Sequence, residues 1–226
     1  MGKFLRFIGI LFMGLTAALT ILSGVGTTCV ALDAAQYEGM EAIAQFQWLY
    51  IFYVLAAVAI GVMGVRATIS LVRGKDKAYR DALIALVLGI ITGGIHMATS
   101  RALRATGSSM PLDFIVYATV LTLIIFLLFG IPKLREIVNF ERESDNVSGA
   151  AGGMTAIVAG MLFLSVHMWA GPTHIFDGVN LADAFHTAMM ISGGAFVLLG
   201  IGLLSRAALQ DTLPAQSPAE EARLSA

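Results

Sequence analysis

FIVYATVLTLIIFLLFGI, residues 114–131, runs for about five helical turns without a charged side chain. An α-helix needs about 20 mostly apolar residues to cross the roughly 30 Å hydrocarbon core of a bilayer. The run is continuous and lacks the apolar–polar alternation of a barrel strand. A helix also satisfies every backbone N–H and C=O internally, as lipid demands. Phe114–Ile131 is therefore read as a membrane-spanning helix.

Five further stretches have the same character: Phe4–Leu22, Trp48–Ser70, Ala82–Ser100, Ala150–Ala170 and Phe185–Leu204. The fold expected is all-α, a polytopic bundle of six transmembrane helices over residues 1–211. Composition agrees. The chain is 58% hydrophobic and only 13% charged, with a mean hydropathy of +0.83, whereas soluble domains carry roughly 25% charged residues. From Thr212 to Ala226 the sequence is rich in Pro, Ala, Ser and Glu, and a disordered cytoplasmic tail is expected.

Positive side chains set the orientation, because they stay in the cytoplasm. Lys3, Arg6, Arg66, Arg73, Lys75, Lys77, Arg80, Lys133, Arg135, Arg142, Arg206 and Arg223 fall on one side, and only Arg101 and Arg104 on the other. Both termini are thus expected in the cytoplasm. Short loops and a compact chain point to a prokaryotic inner membrane. The basic start and apolar run of residues 1–30 also describe a signal peptide. No clean small-x-small cleavage site directly follows the run, so retention is expected. Ser23–Gln47 reads as the longest outer connection, with a short surface helix over Ala34–Phe46.

Several functions are excluded. A net charge of -1 and a pI near 6.4 give no basic footprint, so no nucleic-acid partner is expected. One cysteine, Cys29, makes neither an internal disulfide nor a thiolate metal site. No Walker loop, His-Glu-x-x-His helix or Gly-x-Ser-x-Gly elbow occurs. No internal duplication is evident.

What remains is the placement of the histidines. His96, His167, His174 and His186 all fall near the outer surface, with Asp177 and Asp183 beside the last three. Ionisable groups at membrane depth are costly and point by default to function. Ala85, Gly89, Gly93 and His96 share one helix face, as do Gly153, Ala156, Gly160 and His167, and His186, Met190, Gly193 and Gly200. Small residues mark close helix approach or room for a flat cofactor.

Three site chemistries fit. Haem b would use paired imidazoles for electron transfer, with His96 and His167 matched in depth and His186 nearby. A transition metal would draw on His96, His167, His174, His186, Asp177 and Asp183. An ion or small-solute path would use the same groups as a protonatable vestibule. A structural or assembly role beside other membrane subunits needs none of them, and near-interface histidines often only bond a neighbouring helix.

Overall fold

The computed structural model describes residues 1–104, 107–141, 146–170 and 174–212, with Trp169 and Asp211 described by backbone alone. The tail expected after Thr212, with Arg223 in it, lies outside these residues, as does Arg142. Eight α-helices are described: α1 Gly2–Leu32, α2 Gln47–Val72, α3 Ala78–Leu103, α4 Leu112–Phe129, α5 Pro132–Val138, α6 Asn146–Ala170, α7 Leu181–Ala184 and α8 His186–Thr212. Six are long and apolar enough to span a membrane, and α5 and α7 are short connectors. The expected all-α, six-span bundle is the architecture found.

α1 is the hub, with α2, α4, α5 and α6 packed around it. α3 bridges α2 and α4, and α8 rests on α6. An even number of spans puts both termini at one end, called here the terminal end. The far end holds the α1–α2, α3–α4 and α6–α8 connections. The outer faces are large apolar side chains, among them Leu55, Leu127 and Leu198, and the last of these is 71% exposed. Such a surface suits acyl chains and not water.

The terminal end is filled. Ile10, Met13, Leu71, Leu86 and Phe126 are almost wholly buried. Phe126 and Phe140 stack at 5.6 Å between centroids and 2° between planes, and Phe129 leans on both. Tyr79 donates its hydroxyl to the Phe126 carbonyl at 2.7 Å. One step further in, the hydroxyls of Thr16 and Thr122 hydrogen-bond at 2.8 Å.

Three local structures differ from the sequence expectation. α1 does not stop near Leu22. It extends to Leu32, about 46 Å in all, beyond the thickness of the hydrocarbon core. The hydroxyls of Thr27 and Thr28 donate back to the carbonyls of Ser23 and Gly24, and Gly24 lies against Val54, Ala57 and Val58 of α2. These small polar residues therefore continue the helix as a packed wall. In place of one surface helix over Ala34–Phe46 there are two 3-10 turns, Ala34–Gln36 and Glu41–Phe46. The α6–α7 connection folds into a two-residue β-hairpin, with β1 Ile175–Phe176 antiparallel to β2 Val179–Asn180. Asp177 (φ 47°) and Gly178 (φ 74°) form its turn, the Asp-Gly pair that tight hairpins favour.

Candidate functional site

The histidines separate into two groups. His167 on α6 and His186 on α8 meet at the far end of the α6–α8 pair, with ring centroids 5.2 Å apart. Their position follows from the helix contact below. A Cβ on Gly160 would lie 2.7 Å from the Gly193 carbonyl oxygen, and one on Gly200 2.6 Å from that of Gly153. The two glycine pairs and the histidine pair repeat every seven residues along each helix, so one antiparallel register fixes all three. His167 Nδ1 lies 3.2 Å from the Asp183 carboxylate, and both side chains are substantially exposed. Asp177, also exposed, serves the hairpin turn.

His96 and His174 line a different place. A cavity of about 530 Å³ opens at the far end between α1, α3 and α4. This volume is within the range of small-molecule sites. Its walls are largely apolar, with Leu19, Leu22, Val30, Leu112 and Ile115 prominent, and Leu162 of α6 closes one side. α4 and α6 both pack on α1, and neither is a main packing partner of the other. Met110 and Phe114 line the cavity and are more than half exposed.

One side of the cavity is polar. His96 and Ser100 on one face of α3, and Arg104 four residues on at its C-terminal cap, all line it. Tyr50 and Tyr53 of α2 hold that face. The Tyr50 and Ser100 hydroxyls hydrogen-bond at 2.8 Å, and those of Tyr53 and Thr99 at 3.1 Å. The His96 ring stacks on Tyr53 at 4.4 Å and meets the edge of Tyr50 at 5.2 Å. His96 is only 6% exposed, yet neither ring nitrogen has a hydrogen-bond partner among the described residues. Its nitrogens are not sealed in protein, since His96 lines the cavity, and a ligand or water there can reach them.

His96 also lines a smaller chamber of about 30 Å³ with Thr20, Ser23, Thr27, Thr92 and Thr119. Apart from Tyr53, its polar lining is hydroxyls of serine and threonine, and it has room for about two waters. His96, Ser23 and Thr27 belong to both spaces.

Around the rim, Tyr37 donates its hydroxyl to the Ile175 carbonyl at 2.6 Å, tying the α1–α2 connection to the hairpin. Burial, and then Cys29 beside it, push the Tyr37 hydroxyl up to about 12, so it remains a donor at neutral pH. The His174 ring nitrogens lie 2.7 Å from the Ala170 carbonyl and 3.2 Å from that of Gly26, joining the α6–α7 connection to α1. Glu38 stands exposed at the mouth.

His96 and His167, matched in depth along their helices, are not neighbours. α3 packs on α2 and α4, and α6 on α8 and α1. Equal depth does not bring two helices into contact. Among the described residues no group of three or more histidine, cysteine or carboxylate side chains is arranged to hold a metal ion. Sequence reading missed Tyr50, Tyr53, Ser100 and the inward role of Arg104. The four-residue spacing from His96 through Ser100 to Arg104 was the available signal.

Fold and cavity define the class, a polytopic helical membrane protein with a far-end chamber. No protein-family model, curated protein or solved structure matches the chain.

Proposed function

We propose that this protein binds a small amphiphile drawn from the bilayer, holding its polar head against His96 and its apolar body along α1 and α4. The single observation that carries the reading is His96, a nine-tenths buried imidazole without a hydrogen-bond partner among the described residues, on the wall of a cavity of about 530 Å³. A neutral imidazole offers one N–H donor and one nitrogen acceptor. A hydroxyl head group would satisfy either and a carbonyl the N–H, and apolar walls suit an alkyl or prenyl chain. The exposed lining residues Met110 and Phe114 mark the side from which a lipid-soluble molecule would arrive.

This reading keeps the outer-leaflet histidine site and narrows its chemistry to His96. It serves a carrier as well as a sensor, since both begin with binding. With both termini in the cytoplasm, as the positive-charge bias supports, the cavity belongs to the outer leaflet. The two arginines that break the bias have local reasons. Arg101 pairs with Asp113 at 2.9 Å, and Arg104 lines the cavity.

The test is photolabelling of the full chain in uncharged phosphatidylcholine nanodiscs with a diazirine-bearing medium-chain fatty alcohol. Labels are expected on the walls around Leu19, Leu112 and Ile115. His96→Leu should lower affinity by about five- to tenfold, the worth of one hydrogen bond. Leu19→Trp, which adds bulk to the apolar wall of the cavity at a residue outside the smaller chamber, should weaken labelling while thermal unfolding reports an intact bundle. Labelling spread evenly over lipid-facing residues, unaffected by either variant, would defeat the proposal.

A further inference from the structure

We infer that the amphiphile is anionic and that Arg104, at the mouth of the cavity, reads its charge. The inference rests on the binding role of the cavity proposed above. Arg104 is half-buried. Its guanidinium donates to the carbonyls of Ser108 at 3.0 Å and Met110 at 3.4 Å, and to the Met40 sulfur at 3.5 Å. All three acceptors are neutral. No carboxylate lies within 4 Å of it among the described residues, whereas Arg101, one turn earlier on α3, has Asp113 at 2.9 Å. A guanidinium pairs best with a planar carboxylate or a phosphate, by two parallel hydrogen bonds.

The polar ladder on α3 gives the ligand its direction. Arg104 and His96 are eight residues apart, about 12 Å along the helix, with the Ser100 hydroxyl between them. An extended head group with its charge at Arg104 would turn its other polar atoms towards Ser100 and His96, whereas a simple carboxylate engages Arg104 and leaves His96 to water or to a second polar group. The chain then lies deeper, beside Leu22, Leu19 and Ile115. Glu38 is the other formally charged side chain on the described lining. Being exposed, it keeps its hydration and opposes an anion only weakly. An alkyl carboxylate and an anionic phospholipid present this same chemistry.

The experiment compares the diazirine fatty acid with its alcohol counterpart on the full chain in phosphatidylcholine nanodiscs. A charge-assisted hydrogen bond predicts about tenfold tighter binding of the acid. Arg104→Gln should erase that preference while leaving alcohol labelling in place. Glu38→Gln, which removes the opposing charge, should widen it, and does so without disturbing the Arg104 contacts. Phosphatidylglycerol in the nanodisc should compete with the acid if the natural source is a phospholipid, and leave it unaffected if the source is a free acid. Equal binding of acid and alcohol to the unaltered protein would overturn the charge assignment alone. Absence of cavity labelling by both would instead remove the binding role beneath it.

Discussion

The terminal end of the α1–α4 assembly and the α6–α8 pair are both apolar in sequence but close in opposite ways. At the first, helices are kept apart and the gap is filled by rings. Phe126, Phe129, Phe140 and Tyr79 stack between them. At the second the gap is removed, because Gly153 meets Gly200 and Gly160 meets Gly193, backbone against backbone. Glycines also bring α1 and α2 together at Gly61 and Gly64, but there the opposing atoms include the Ala17 and Ile21 side chains. Without a hydrophobic drive between helices in lipid, both solutions rely on dispersion, and each reaches density by its own route. The cavity lies where neither applies. Towards the far end the rings give way to hydroxyls, and no glycine pair draws α4 to α6.

The comparison predicts that one region fails when a side chain is removed and the other when one is added. The largest effect belongs to Phe126→Ala. Phe126 is fully buried, and phenylalanine truncations in cores cost about 3–5 kcal/mol. The low end is expected here, since lipid can solvate what the ring leaves. Reversible unfolding in mixed micelles measures it. A cost near zero would show that the stacked rings do not hold the terminal end.

Gly200→Val should follow, at about 2 kcal/mol, within the range for overpacking a tight contact. The added Cβ would meet the Gly153 carbonyl oxygen at 2.6 Å and the Ile157 backbone nitrogen at 2.9 Å, and neither can move without the helix. Gly202→Val, two residues along, is the control, because nothing lies within 4 Å of its Cβ position. If the two variants unfold alike, helix propensity and not backbone contact sets the cost, and the contrast between the regions fails. The Gly200 variant should also separate His167 from His186, since the same register positions them. A lengthened distance between spin labels at the two sites would report it.

The same contrast explains what could be read in advance. Phe114–Ile131 was legible because a continuous apolar run permits only one solution in lipid. The meeting of His167 with His186 was latent in the seven-residue spacing of their glycines, although neither helix alone reveals its partner. The length of α1 was hidden, because Ser23-Gly24-Val25-Gly26-Thr27-Thr28 has loop-like composition. Its helical state depends on hydroxyl bonds to its own carbonyls and on the α2 surface. Asp177 was legible as a carboxylate near histidines, but Asp177-Gly178 is a turn signal, and the turn is what it makes. Of the site, His96 stood out as an ionisable group at membrane depth. Tyr50 and Tyr53, which hold it, come from another helix more than forty residues earlier, and no local pattern links them to it.

Tyr50→Phe should have the smallest effect and sharpens the boundary between filled and open regions. Tyr50 is 2% exposed and loses only its hydroxyl, which hydrogen-bonds Ser100 at 2.8 Å. Its ring keeps the edge contact with His96. Interhelical hydrogen bonds in membranes average about 0.6 kcal/mol, and the freed Ser100 hydroxyl can turn to the carbonyl one turn back. The unfolding midpoint should therefore move little. A loss as large as that of Phe126→Ala would mean that the hydroxyl network at the far end carries the fold as much as the rings do. The cavity would then be a by-product of that network, and the unpartnered imidazole on its wall would lose its claim to a ligand.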